Sequence, residues 1–513
     1  MSARPQPNTA QRTRDDRELA SSSAGCQTRC CTLSNIKLPG ALVDYLVKPA
    51  AGLQEPPPPV PLAPELARER VAQRLEKRLP SPSSYAKDVA EFGWPAGKFQ
   101  DLLELMQTHR PAEIAGQRFR QLPVALLDPI LGQLEEDCAY ATPSAADTDF
   151  ALKLSYAMSD SFNKEEFRMT KFWAMYREEF QVPMKQETIR SAETDGSTTM
   201  ETAGPGLGLG VNLEVKLDVG SGGGDPRLQN CAYATLWSAG QAQAALRAVC
   251  RCPTVLLELA GTNLGISGFV FAEQGCCDQL CHYVSLLVQP KSELMLGLAR
   301  VCAALRKAIP KMKEFYRSLQ TRLPHPPPNP QLLFPYPNTY DTGRQAFLYV
   351  ERISSLAFRA KSAATDAQVF VKFCKCYSTG AHDTLHAAGY APRLLCCEPL
   401  PGRWLMVVTE FLEDACMWDD AMQKPHEQLH RAVNVLHSAG FVHGDLRGCN
   451  VLVAGGQVYV VDLEWAGIMG EAKYPFFMNR ADIRWPDGAS DNQPITKTHD
   501  NWWLHKLMSD LDT

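Results

Sequence analysis

Phe441-Val442-His443-Gly444-Asp445-Leu446-Arg447-Gly448-Cys449-Asn450 is the stretch whose reading decides the fold, together with Val451-Leu452-Val453, Gly455-Gly456, Val458-Tyr459-Val460-Val461 and Asp462 beyond it. Upstream, Leu429, Val433 and Leu436 fall on one face of a helical pattern. Downstream, two short β-branched runs flank a Gly-Gly pair, which reads as a hairpin that delivers Asp462. The order is therefore helix, Asp-x4-Asn loop, hairpin, second aspartate. A lone Asp or Asn in a loop commonly does no more than cap a turn. Here several polar groups agree in order and spacing.

This order resembles the catalytic core of the protein-kinase superfamily. The resemblance implies that Asp445 orients the acceptor hydroxyl and takes its proton, with His443 and Arg447 completing the catalytic set and Arg447 placing a fixed positive charge near the transferring phosphoryl group. Asn450 and Asp462 would hold Mg ions that bridge the phosphates of ATP, since that hard cation prefers oxygen ligands. In Gln368-Val369-Phe370-Val371-Lys372-Phe373, Lys372 matches the strand lysine that contacts the α- and β-phosphates. The strand Trp404-Leu405-Met406-Val407-Val408 runs into Thr409-Glu410-Phe411-Leu412, similar to the hinge on which adenine sits, so Glu410 and Leu412 are expected to bind the nucleotide. His499-Asp500-Asn501-Trp502 resembles the start of a helix whose aspartate buttresses the catalytic loop, although an Asp there also caps helices in general.

Several features depart from the family pattern. No G-x-G-x-x-G covers the phosphates, and the matching segment Arg352-Ile353-Ser354-Ser355-Leu356-Ala357-Phe358 has no glycine. Gly380 stands where the glutamate that pairs with the lysine belongs, with Asp383 as a substitute only in a shifted register. The magnesium-loop triplet is Asp462-Leu463-Glu464, the loop begins His-Gly-Asp, and no Ala-Pro-Glu follows. These departures resemble the compact kinase-like domains of fungal proteins, and also small-molecule and lipopolysaccharide kinases. The expected activity is an ATP- and Mg-dependent phosphotransferase acting on Ser or Thr hydroxyls of a protein substrate. A small-molecule kinase and an inactive pseudokinase scaffold are the alternatives within this fold.

The middle of the chain carries a second constellation. Asp195-Gly196 precedes Leu213-Glu214-Val215-Lys216 on a strand, and Gln229-Asn230-Cys231-Ala232-Tyr233 opens a helix. Glu-x-Lys alone is common on strand surfaces. The ordered set Asp195, Glu214, Lys216, Gln229 and Tyr233 resembles the PD-(D/E)xK nuclease fold with the Gln-x3-Tyr element of RecB-like members, a domain also found beside kinase-like domains in crinkler-related proteins. The resemblance implies Mg held by Asp195 and Glu214, Lys216 stabilising the charged transition state or orienting the attacking water, Glu166 on the first helix completing the site, and nucleic acid as a partner. The run Gly220-Ser221-Gly222-Gly223-Gly224-Asp225-Pro226 reads as a flexible turn or a phosphate approach.

Length and composition frame these readings. The 513 residues exceed one ordinary core, and 45% hydrophobic against 21% charged residues is the balance of a chain that mostly folds. A net charge of -5 gives no global attraction to nucleic acid or anionic membrane. The 17 cysteines lack zinc-knuckle spacing, and no leader or membrane-spanning window is evident, so the reading is intracellular, in cytoplasm or nucleus, with reduced thiols and no membrane partner. The expected fold class is multidomain α+β. Its parts are a disordered tail with a Pro-rich linker over 1–60, a helical region over 61–150, a restriction-endonuclease-like α/β domain over 151–323, a Pro-rich linker over 324–339, and a bilobal kinase-like domain with a shortened C-lobe over 340–513. Helical patterns are expected at Leu62–Leu79, Asp101–Met106, Ala112–Asp137 with breaks at Pro123 and Pro129, and Glu293–Leu319.

Overall fold

Two runs of near-continuous apolar residues, Leu207–Lys216 and Thr254–Ala260, form neighbouring parallel strands buried on both faces, as such sequences require. The computed structural model describes residues 64–79, 81–86, 106–108, 122–204, 206–218, 224–289, 291–319 and 329–509. The expected tail over 1–60, the helical patterns over 101–105 and 112–121, most of the glycine-rich turn, and residues 324–328 of the expected linker lie outside the described residues. Those described fold as a mixed α/β protein with two six-stranded sheets.

In the first sheet the strands are β1 (Met106–Thr108), β2 (Gly196–Glu201), β3 (Leu207–Lys216), β4 (Thr254–Ala260), β5 (Asn263–Phe271) and β6 (Gly275–Ser285), in the order β1-β6-β5-β4-β3-β2. Met106 was expected in a helix; it lies instead on an edge strand, where Met106–Thr108 pair in parallel with Gly275–Cys277. Non-local ladder bonds there override the local pattern. Helices α1 (Pro64–Arg78), α2 (Val124–Leu127), α3 (Pro129–Tyr140), α4 (Ala145–Met158) and α5 (Glu165–Phe180) precede the main strands. The break at Pro129 has a local cause: Asp128 accepts from the Ile130 and Leu131 amides and caps α3, with the proline at its first position. Helix α6 (Pro226–Ala239) makes the crossover from β3 to β4, and α7 (Ser292–Ser318) packs on α3 and α4. Lys307 reaches Asp137 at 3.1 Å and Arg306 reaches Asp147 at 2.7 Å. The helices before residue 151 are thus part of the body built on the first sheet.

The second sheet consists of β7 (Thr339–Tyr340), β8 (Gln345–Ser354), β9 (Ala357–Ser362), β10 (Gln368–Cys374), β11 (Leu394–Leu400) and β12 (Trp404–Glu410), in the order β11-β12-β10-β9-β8-β7 and antiparallel throughout. Helix α8 (Thr379–Ala387) connects β10 to β11. After the sheet come α9 (His426–Ser438), the hairpin of β13 (Val451–Ala454) and β14 (Gln457–Val460), and α10 (Lys497–Ser509). Leu429, Val433 and Leu436 of α9 are buried against Leu446, Leu463, Trp503 and Leu507.

Residues 329–339 of the expected linker are packed. Phe347, Tyr349, Phe373, Trp404 and Met406 of the second sheet belong to the same hydrophobic core as Leu126, Leu131, Val215 and Phe269. Arg251 donates to the carbonyls of Gln331 (3.0 Å), Leu332 (2.9 Å) and Phe334 (2.6 Å). Burial lowers its guanidinium pKa to about 10. The Tyr336 amide donates to Leu126 O at 2.8 Å, and the Gly402 amide donates to Glu136 at 3.1 Å. No helix among the described residues is long and apolar enough to cross a membrane.

Candidate active site

The 441–450 loop is held from beneath by one carboxylate. Asp500, on the first turn of α10 and fully buried, accepts from the His443 and Gly444 amides at 2.8 Å each and lies 2.9 Å from His437 Nε2. Gly444 has φ +84°, and a Cβ there would stand 2.7 Å from Ile495 Cδ1. Glycine in the His-Gly-Asp triplet therefore follows from both conformation and space. His443 is itself buried, with Nε2 at 3.1 Å from Val461 O and Nδ1 accepting from the Asp445 amide at 3.2 Å. Both ring nitrogens of His443, expected among the catalytic groups, are engaged by backbone.

The Asp445 carboxylate is fixed from two sides. Arg447 binds it bidentately, Nε to Oδ1 at 2.5 Å and Nη2 to Oδ2 at 2.7 Å, and Asn450 Nδ2 donates to Asp445 O at 2.8 Å and Oδ2 at 2.9 Å. The bond to Asp445 raises the Arg447 pKa, and its guanidinium sits 5.8 Å from the Trp485 ring. Trp485 in turn packs on Trp465 at 5.4 Å and Trp503 at 5.7 Å, so aromatic stacking folds the segment after residue 464 back onto the loop.

Asp462 adopts φ +63°, a left-handed conformation that costs a non-glycine residue about 1–2 kcal/mol. Such strain is tolerated where surrounding structure enforces it, and it recurs at functional sites. Asp462 Oδ1 lies 2.7 Å from Lys372 Nζ, and Glu464 Oε1 lies 2.6 Å from the same nitrogen. Burial works to lower the Lys372 pKa, but the two carboxylates prevail and raise it. Asp383 is exposed on α8, and a Cβ on Gly380 would meet the Phe441 ring at 2.9 Å. The acids on the lysine are thus Asp462 and Glu464, and the second of these contacts was not expected from the sequence. The two clusters share one electrostatic environment: Asp462 acts on Arg447, and Asp445 acts on Glu464.

Lys372 on β10 pairs in register with Val407 on β12, and the same ladder brings Glu410 opposite Val369. Glu410 is exposed, with its carboxylate on the Arg393 amide at 2.8 Å and its carbonyl accepting from the Thr409 hydroxyl at 3.0 Å; Leu412 is half-buried just beyond. The glycine-free segment closes as a tight hairpin in which Ser354 pairs with Ala357. Arg352 holds it by donating to Ser354 O (3.1 Å) and Ser355 O (2.6 Å).

The first sheet gathers the other expected set. Asp195 accepts from the Val215 amide at 2.8 Å, and Lys216 Nζ contacts the Glu214 carboxylate. Tyr233 donates to Glu193 O at 2.6 Å, and burial raises its pKa while Gln229, also on α6, works to lower it. Burial, with Asp195 adding to it, pushes the Glu214 pKa well up; Asp195 is also raised by burial. The acid of α5 that acts on this group is Glu165, which accepts from the Leu217 amide at 3.4 Å, whereas Glu166 is exposed, a correction by one helix position. No cluster of three or more His, Cys, Asp or Glu side chains arranged to hold a metal occurs among the described residues.

No protein-family model matches this chain, and no curated protein matches it. Among solved structures, the kinase PK-1 of Cydia pomonella granulovirus is similar at 15% identity, over 32% of this chain and 69% of that one, with a TM-score of 0.26.

Proposed function

We propose that the region from 340 onward is an ATP- and magnesium-dependent phosphotransferase of protein-kinase-like fold that acts on Ser or Thr hydroxyls of proteins. The observation that carries this reading is the Asp445–Arg447–Asn450 loop, clamped to buried Asp500 and sharing one field with Lys372 and Asp462. Asp445 accepts the proton of the acceptor hydroxyl, held in orientation by Arg447 and Asn450. Arg447 adds fixed positive charge where charge develops on the transferring group. Lys372 binds the α- and β-phosphates, while Glu410 and Leu412 present backbone to adenine. The donor set fits magnesium: Asn450 turns its nitrogen to Asp445, its amide oxygen accepts only a weak thiol contact from Cys449 at 3.6 Å that a cation would displace, and Asp462 contributes a carboxylate. Bound there, magnesium would neutralise phosphate charge. The test is transfer from labelled ATP with magnesium to generic protein and small-molecule acceptors. Asp445→Ala should abolish it, and equal incorporation by both proteins would remove Asp445 from the role assigned.

A second reading places magnesium-dependent nucleic-acid cleavage at Asp195, Glu214 and Lys216, favoured by the crowding of Asp195, Glu214 and Glu165 around a single lysine. Gln229 and Tyr233 would brace that site from α6. Metal-dependent nicking of plasmid that persists in Lys216→Ala would exclude it. A pseudokinase scaffold, the third reading, predicts no transfer with any acceptor while ATP and magnesium still stabilise the fold.

A further inference from the structure

We propose that Glu464 is the positioning residue for Lys372, so that the nucleotide-binding half of the site is assembled without an acid from helix α8. This rests on the phosphotransferase reading above. The lysine has two partners at 2.7 and 2.6 Å, and both come from the Asp462-Leu463-Glu464 triplet. Helix α8 has nothing to offer in their place. Its Gly380 is pressed against Phe441, and Asp383 faces solvent.

The triplet is anchored as a unit. Leu463 is fully buried in the core beside Leu446 and Trp503, which holds the residues on either side of it at the cleft. Its carbonyl accepts from the Ser378 amide at 3.1 Å, and the Glu464 carbonyl accepts from Cys376 Sγ at 2.9 Å. The two acids therefore have separable duties. The Asp462 carboxylate is the one that would also be called on to hold a divalent cation bound with ATP, so its hold on Lys372 would weaken. Glu464 keeps its hold on the lysine when that happens, and the amine stays aimed at the phosphates. A lysine with four rotatable side-chain bonds and no remaining partner would lose that aim.

The test compares magnesium-ATP with adenosine, by calorimetric titration of the full chain. In Glu464→Gln, affinity for magnesium-ATP should fall by tenfold or more while adenosine binding stays within twofold, and the KM for ATP should rise more than kcat falls. Glu464→Asp should recover part of the loss, and Asp383→Asn should behave as wild type. In a Lys372→Met background, Glu464→Gln should add nothing further, the mark of two residues acting through one another. Unchanged ATP affinity in Glu464→Gln, additive losses in the double variant, or equal loss of ATP and adenosine would each overturn the assignment. Wild-type protein that binds no magnesium-ATP would defeat the phosphotransferase reading itself, and is read first.

Discussion

Replacing Asp500 should separate loop positioning from nucleotide binding. Its carboxylate is fully buried and takes two backbone amides at 2.8 Å and His437 at 2.9 Å. Hydrogen bonds to a charged group contribute about 1.5–3 kcal/mol each, and each buried donor left without an acceptor costs about 1–3 kcal/mol. Asp500→Ala strands the His443 and Gly444 amides together, so a destabilisation of about 3–5 kcal/mol is expected, the range seen when one member of a buried charged network is removed. Asp500→Asn keeps the shape but offers one oxygen to two amides, and should lose roughly 2 kcal/mol, about one buried acceptor. Trp502 and Trp503 lie on the same helix, so tryptophan fluorescence during urea unfolding reports the event directly. The functional signature is a fall in kcat of about a hundredfold with Asp500→Asn, since a displacement near 1 Å at the reacting groups has that effect. Its ATP affinity should hold within twofold, because Lys372 and the 409–412 segment do not lean on this carboxylate. Stability of Asp500→Ala within about 0.5 kcal/mol of wild type, the scatter of ordinary surface substitutions, would refute the account of how the loop is held.

Other substitutions probe separate features. Gly444→Ala should cost about 1–2 kcal/mol from its left-handed backbone alone, read as a lower melting temperature, with Ile495→Ala relieving only the steric part. Glu258 is buried on β4 with neither carboxylate oxygen hydrogen-bonded, and burial raises its pKa to about 8. The folded state thus retains a proton that the unfolded chain releases above its ordinary value of 4.5, so this contribution to stability is full below that value and is lost as pH rises through about 8. Glu258→Gln should flatten that decline and melt higher than wild type above pH 8, as a pH series of thermal melts would show. Arg251→Ala leaves three carbonyls at the seam without this donor and should lower the stability by about 2–4 kcal/mol, within the range for a broken buried network, read as an earlier midpoint in urea.

The parts of the fold governed by local periodicity were legible in the sequence. The face of α9 was marked by Leu429, Val433 and Leu436, and the β13–β14 turn by Gly455 and Gly456, whose φ values of +56° and +79° are those a two-residue hairpin demands. The strand that carries Lys372 was marked by Val369, Phe370, Val371 and Phe373 around a single lysine. Features that depend on geometry at a distance were not. Glu464 reaches Lys372 from two residues beyond Asp462, whose left-handed backbone the local pattern of the hairpin did not mark. Choosing Glu165 over Glu166 requires the rotation of α5 about its axis, and neighbouring helix positions differ by about 100°. Arg251 lies about eighty positions from the carbonyls it binds, so its part in sealing residues 329–338 against the first sheet had no local signal. The same holds for Met106, whose strand exists only because Gly275–Cys277 stand beside it.

That seam has a practical consequence. Since Phe347, Tyr349, Trp404 and Met406 share a core with Leu126, Leu131 and Phe269, neither half is portable. A truncated chain starting at the proline-rich segment would present those side chains to water as a sticky face, and insolubility of such a fragment would say nothing about the chemistry of residues 443–462. Point substitutions in the intact chain are the way to assign activity to one site or the other.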